Sequence, residues 1–317
     1  METRYCTDLF SIVIPCWNHG RLLDRCIQSV LSQKSPPIEV IVIDDGSTDE
    51  THEVATSYGK LVTYLYQPNR GLSFARNAGL HHAAGTWIMF IDADDALGPG
   101  ALHAYRHSIQ KQHADLYYGT YQNLSDSGIL LNQVDPNMLL AADPFHQLLL
   151  GNSMAVHSVL VRRSIVLEES GFDTSLKSHE DWHLWLRLAL RGCRFQPVND
   201  ALAFYYRGSP VSMSRNYDRM LSSGLDVLSR FDRVHPDCSQ CNESIDAGRR
   251  NLRASCFGAI LLPSLLQQIR SGHGWSASRQ ILDQLRADPY LSRTVLSHAR
   301  SYISHMIPNL LKPFRLG

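Results

Sequence analysis

The chain has 317 residues, 44% of them hydrophobic, enough for a large buried core and for one catalytic domain with an extension. Thirty Lys and Arg balance thirty Asp and Glu, which excludes the bulk positive field that holds a nucleic-acid backbone or an anionic membrane; a charged ligand must be met by a local arrangement. Seven cysteines, an odd count without framework spacing, exclude a disulfide scaffold and point to reduced thiols and a cytoplasmic location.

The apolar stretch Leu9 to Trp17 runs straight into a polar turn with no small-residue cleavage site, so it reads as a strand, centred on Phe10 to Ile14, and not as a secretory segment. Arg21 to Gln33 then repeats Leu22, Leu23, Cys26, Ile27, Val30 and Leu31 at helical spacing. Glu39 to Ile43 predicts a second buried strand ending in Asp44, Asp45 and Gly46. Ser47 and Glu50 follow with capping-box spacing for a helix that Gly59 stops. Leu61 to Tyr66 predicts a third strand and Ser73 to Ala84 a helix closed by Gly85. Trp87 to Ile91 is a fourth strand that stops in Asp92, Ala93, Asp94 and Asp95. This alternation predicts an α/β fold with a mostly parallel central sheet and helices on both faces. In such sheets ligands sit beyond the carboxyl ends of the strands, where Trp17, Asn18, Asp44, Asp45, Asp92, Asp94 and Asp95 all fall.

After Pro99 the alternation loosens into a helix to Gln112, a strand near Leu116 to Tyr121, a polar hairpin-like stretch and a strand near Ser158 to Val161. Glu180 to Arg191 is a helix with Trp182, Trp185, Leu186 and Ala189 on one stripe, followed by strands near Phe195 and Phe204. Beyond Tyr217 the signals are helical. The apolar run Ala254 to Leu266 is broken by Ser255, Pro263 and Ser264 and is shorter than the roughly twenty residues that span a bilayer. The expected organisation is a catalytic domain over residues 1–216, divided near 105 into a nucleotide half and an acceptor half, and a helical region over 217–317. That last region carries Arg249, Arg250, Arg253 and a final Leu311-Lys312-Pro313-Phe314-Arg315. Packing on the catalytic domain is its ordinary reading; peripheral contact with the inner face of a membrane, or with another subunit, is the alternative.

Several clusters carry chemistry. Asp92, Asp94 and Asp95 at a strand tip repel one another unless a cation or hydrogen bonds compensate, and hard divalent cations such as Mn2+ or Mg2+ need such oxygens; an acidic turn capping the next helix is the plainer alternative. Asp44 and Asp45 can accept hydrogen bonds from a nucleobase imide or a ribose hydroxyl, or can simply close a turn. Trp17, after Pro15 and Cys16 and before Asn18, offers a flat face for a base, or fills the core. Asn69-Arg70-Gly71 with Arg76 one turn into a helix suits a phosphate, or places a surface arginine. Glu180 and Asp181 favour a helix dipole, or supply the base that takes a proton from an acceptor hydroxyl. Cys238 and Cys241 lack the second pair that a zinc site requires, and neither a dinucleotide nor a P-loop glycine signature occurs.

The ordered series Ile14-Pro15-Cys16-Trp17-Asn18, Val42-Ile43-Asp44-Asp45-Gly46-Ser47-Thr48-Asp49, Asn69-Arg70-Gly71 with Ala75-Arg76-Asn77, Phe90-Ile91-Asp92-Ala93-Asp94-Asp95 and Glu180-Asp181 resembles the family 2 glycosyltransferases of the GT-A fold, over roughly Phe10 to Ser214. The resemblance implies an inverting transfer from a nucleoside-diphosphate sugar, with UDP favoured, to a carbohydrate, lipid-linked or protein-linked hydroxyl. It places Pro15, Trp17 and Asp45 at the nucleobase, with Asp44 beside them, and Arg76 and Asn69 near the diphosphate or supporting the acidic motif. Asp92 approaches the ribose, Asp94 is the main ligand of Mn2+ or Mg2+, and Asp181 of the Glu180-Asp181 pair is the general base. Two departures stand out: Trp17 replaces the more common tyrosine, and Gly208-Ser209-Pro210, after Tyr205, Tyr206 and Arg207, lacks the histidine that many relatives carry there. A sugar nucleotidyltransferase and a non-catalytic sugar-nucleotide or partner-binding protein are the competing readings. The first lacks its glycine- and basic-rich loop, and the second has no need of both acidic motifs.

Overall fold

The computed structural model describes residues 9–33, 37–136, 140, 143–207 and 216–256. They belong to two compact units, Met1–Ser212 and Met213–Gly317.

The first unit opens on β1 (Phe10–Cys16), apolar except at Ser11 and wholly buried, as a central strand of a covered sheet must be. Helix α1 (Gly20–Leu31) follows, burying Leu23, Cys26, Ile27 and Val30, the stripe that its spacing predicts. Next come β2 (Ile38–Asp44), α2 (Thr51–Ser57), β3 (Val62–Tyr66), α3 (Leu72–His82) and β4 (Trp87–Phe90). The short β5 (Ala96–Leu97) leads to α4 (Ala101–Lys111), β6 (Leu116–Leu124), β7 (Leu130–Val134) and α5 (Pro144–Leu149). The unit continues with β8 (Val159–Arg162), α6 (Arg163–Glu168), α7 (Glu180–Leu190) and β9 (Phe195–Tyr206).

Among the described residues the strands form one sheet in the order β3-β2-β1-β4-β8-β6-β9-β5, with β7 paired to β6. The first four strands are parallel, as the βα alternation predicts; beyond β4 the sheet turns mixed, with β8 antiparallel to β4 and β6, and β9 parallel to β6. Because β2 lies on one side of β1 and β4 on the other, successive crossovers leave in opposite directions and open a crevice between the β1 and β4 tips. The β4 ladder stops at Val13↔Phe90, so Pro15 lies past the last paired residue on that side, where a missing N–H breaks no ladder. Helix α3 lies close on β1 because its contact residue is Gly79: a Cβ there would fall 2.2 Å from Val13 Cγ1.

Three expectations need correction. The helix after β2 does not start at a Ser47 capping box. It starts at Thr51, and Asp49 Oδ1 accepts from the Thr51 N–H and hydroxyl instead, while Ser47 is held by Asp44. The two strands expected near Phe195 and Phe204 are one strand. Its register against β6 jumps from Gly119↔Val198 to Thr120↔Leu202, and the polar Asn199 and Asp200 in the resulting bulge split the apolar signal. The short β5, α5 and α6 were not foreseen, since runs of two and six residues carry too little periodicity.

In the second unit, α8 (Tyr217–Ser229) is capped by Asn216, whose side chain accepts from the Arg219 N–H at 2.9 Å. It packs on α9 (Ser239–Cys256), and Arg249 of α9 reaches both oxygens of Asp232 at 2.7 and 2.6 Å. Cys238 and Cys241 are free thiols, with the Cys241 N–H directed at Cys238 Sγ. The apolar run beyond Cys256 and the final Leu311 to Arg315 lie outside the described residues. Among the described residues no helix is long and apolar enough to cross a membrane.

Candidate active site

The tips of β1 and β2 are joined by short polar links. Asn18 sits in the left-handed region at φ 54; its side-chain oxygen accepts from the Thr48 N–H at 2.8 Å, and its own N–H donates to Ser47 Oγ at 2.9 Å. Trp17 beside it is 55% exposed, which removes the core reading and leaves its ring accessible past the end of β1. Asp44 is buried, accepting from Ser47 N at 2.8 Å and from the Tyr64 hydroxyl at 2.7 Å. Asp45 accepts from Gln67 Nε2 and the Arg70 N–H on one oxygen and from the Gly71 N–H on the other, at 2.7, 3.0 and 2.8 Å. It thereby closes the β3–α3 loop onto β2. Asn69, exposed in that loop, rides over Gly46, where a Cβ would meet the Asn69 nitrogen at 2.7 Å. The turn reading of both acids is therefore realised, and the turn they build is bonded to the residues on either side of Trp17, Cys16 and Asn18.

One turn into α3, Arg76 is 2% exposed and both ends of its guanidinium fork are paired: Nη2 donates to Asp92 Oδ1 at 2.6 Å and Nη1 to Glu180 Oε1 at 2.5 Å. Burial alone would lower its pKa, but the charges of Asp92, Glu180 and Asp181 outweigh that and keep the guanidinium protonated. Arg76 is thus the joint between the acidic tip of β4 and the start of α7. Because Gly71, at the start of the same helix, is bound by Asp45, α3 ties the β2 tip, the β4 tip and the start of α7 together. Of the two sites that the resemblance leaves open for Arg76, the geometry gives it the support of the acidic motif.

The acids of the β4 tip are answered unequally. Asp95 is completely buried; it accepts from the Tyr206 N–H at 3.0 Å and lies 3.0 Å from His157 Nδ1, close as an ion pair without the alignment of a good hydrogen bond. Burial by itself would lower the His157 pKa, yet the Asp95 charge prevails and holds the imidazole above its ordinary range. Asp94 presents its backbone oxygen to Arg25 Nη2 at 2.5 Å, and the same guanidinium lies 3.5 Å from the Tyr206 ring centroid. No side chain of the described residues donates a hydrogen bond to its carboxylate, and the His157 charge only partly offsets its surroundings. Burial, then the charges of Asp95 and Asp92, push it up to about 7. A carboxylate without a side-chain hydrogen-bond donor, beside two others that raise it, is where a hard divalent cation fits, so Asp94 and the free oxygen of Asp92 suit Mn2+ or Mg2+.

Helix α7 is preceded by His179, a non-glycine residue at φ 60. Glu180 turns back to Arg76, while Asp181 accepts from the Trp182 N–H on Oδ1 at 2.7 Å and from Asn152 Nδ2 on Oδ2 at 3.2 Å. Burial, reinforced by Glu180 and opposed by Arg76, pushes Asp181 up to about 7. Trp182 fixes the helix start by donating from Nε1 to the Leu148 oxygen at 2.7 Å. The structure thus brings Asp92, Arg76, Glu180 and Asp181 into direct succession, with Asp94 in the same acidic turn, while Pro15 stays buried within β1. Arg25, His157 and Asn152 escaped the sequence reading: each is a single residue in a helix, turn or loop with no local pattern to mark it.

Among known proteins, the model of glycosyl transferase family 2 matches residues 11–169. The glycosyltransferase GlyG of Streptococcus pneumoniae is 33% identical over 261 residues, covering 73% of this chain and 81% of that protein. WfgD of Escherichia coli, described as UDP-Glc:alpha-D-GlcNAc-diphosphoundecaprenol beta-1,3-glucosyltransferase, is 29% identical over 228 residues, 70% of this chain and 86% of that protein. Other relatives are longer, and the chain spans 18% of the length of one and 60% of another. The solved structure of the mannosyltransferase PcManGT from Pyrobaculum calidifontis with GDP-Man and Mn2+ has a TM-score of 0.57 at 17% identity, over 95% of this chain and 87% of that one. The fold is GT-A, as its motif order implies.

Proposed function

The chain belongs to glycosyl transferase family 2 and is a glycosyltransferase, and from that premise we propose that it moves a sugar from a nucleoside-diphosphate donor, UDP being the favoured one, to an acceptor hydroxyl by direct displacement with inversion. The observation that carries this reading is Arg76, buried between Asp92 and Glu180, which puts the acidic β4 tip and the Asp181 carboxylate on one crevice.

Trp17 offers its exposed face to the nucleobase above the Asp44–Asp45 turn. Asp94, with Asp92 beside it, would hold Mn2+ or Mg2+, and such an ion, when bound, offsets the negative charge that builds on the leaving diphosphate. Asp181 takes the proton of the attacking hydroxyl. A carboxyl held at about 7 is ionised in a large fraction of molecules at neutral pH and is a stronger base than an ordinary aspartate. Glu180, paired with Arg76, ties the start of α7 to α3. Residues 1–216 form the catalytic domain in this reading. A lipid-linked acceptor of the kind named for WfgD would bring the protein to the inner face of a membrane, with residues 217–317 as the contact.

The test is a panel of UDP- and GDP-sugars with Mn2+, following release of free nucleoside diphosphate. We expect release from a UDP-sugar that stops on chelation, and loss of Mn2+-dependent UDP binding in Asp94→Asn. Wild-type Mn2+ dependence of UDP binding in that variant would remove Asp94 as a ligand.

A further inference from the structure

The loop between α5 and β8 contributes Asn152, a residue outside every motif that led to the site. Its amide is oriented by two bonds that leave no choice of flip. Oδ1 accepts from the Met154 N–H at 3.2 Å, so Nδ2 is the atom that faces Asp181 and donates to Oδ2 at 3.2 Å. Since Trp182 N–H occupies the other oxygen, the carboxylate is held by one N–H on each of its oxygens. From this geometry we infer that Asn152 is the positioning residue of the general base, fixing the direction of the Asp181 carboxylate and favouring its ionised form.

The inference deepens the proposed function and rests on Asp181 being the base. A base oriented by a third group is a recurrent device, because an unrestrained carboxylate samples rotamers that miss the proton. The other charged and titratable groups around Asp181 act through space and do not set its direction. Glu180 on its own helix raises it and Arg76 of α3 lowers it. The Tyr121 hydroxyl of β6, 9% exposed overall and without a hydrogen-bond partner in the described residues, feels the Asp181 charge from across the crevice. On α5, which packs against α7 beneath it, Asp143 and His146 pair with each other at 2.5 Å. Among these side chains Asn152 alone donates to the carboxylate itself.

The experiment follows the Asp181 carboxyl directly, in the full chain without donor or metal, by 13C NMR titration of labelled aspartates, the resonance being assigned by its loss in Asp181→Asn. Removing the donor in Asn152→Ala should raise the Asp181 midpoint by about one pH unit, the equivalent of a single hydrogen bond to a charged group. Asn152→Asp keeps the shape and the Met154 contact while replacing the donor with a second carboxylate, so it should raise the midpoint further without disturbing the fold. A midpoint unchanged in both variants would overturn the inference. Failure of the underlying reading looks different: Asp181→Asn would then release nucleotide from the active donor at the wild-type rate, whatever Asn152 does to the titration.

Discussion

Replacing Asp181 by Asn should leave the enzyme inactive and more stable. Its carboxyl is pushed from 3.8 to about 7 in the folded chain, so the fold prefers the protonated form. Stability from this group is fully present below the unfolded value and is lost as pH rises through about 7. A difference of roughly three pH units at 1.36 kcal/mol each sets a ceiling of about 4 kcal/mol for what the ionised group costs above neutral pH. Asparagine does not titrate and keeps an oxygen for the Trp182 N–H, but it turns an amine toward Asn152, so the net gain at pH 8 falls to about 2–3 kcal/mol. Thermal unfolding of both proteins at pH 8 and pH 4.5 measures this. The variant should melt about 5–10 °C higher at pH 8, with the gap closing toward acid. A variant no more stable than the wild type at pH 8 would show that Asp181 is not strained by burial, and the argument for it as a tuned base would fail with it.

Arg76→Met should act in the opposite direction. It strips the shared cation from Asp92 and the buried Glu180, costing about 3–5 kcal/mol, read as a lower denaturation midpoint together with lost transfer. Trp17→Ala should leave stability within about 0.5 kcal/mol, because the ring is mostly exposed, while weakening UDP binding in calorimetry by about tenfold, the scale of one base–aromatic stack.

The parallel half of the fold was readable because its strands are mainly apolar runs and α1 carries a clear apolar stripe. The strand tips, where Asp44, Asp45, Asp92 and Asp94 lie, followed from the same reading. The mixed half was harder for physical reasons. In β9 a bulge carries polar residues into the middle of the strand, and the pairing of β8 between β4 and β6 depends on contacts far apart in sequence. Arg76 shows the limit within the site. Its place one turn into α3 was visible, but its burial between Asp92 and Glu180, 104 residues away from the latter, belongs to tertiary structure alone. Asp45 is the converse: its turn chemistry was legible from Asp-Asp-Gly-Ser, and the loop it closes at Arg70 and Gly71 was not.

The hook between the β4 tip and the end of β9 bears on how such enzymes can be recombined. Asp95 holds the Tyr206 N–H, and Arg25 lies across the Tyr206 ring while gripping the Asp94 carbonyl. A chimera that splices a foreign acceptor-side segment into this chain therefore imports a new neighbour for the acidic turn as well as a new pocket. Grafts that keep Arg25, Asp95 and a tyrosine at 206 as one inherited block should retain the donor's chemistry, whereas those that cut through it will lose donor affinity along with the old acceptor preference.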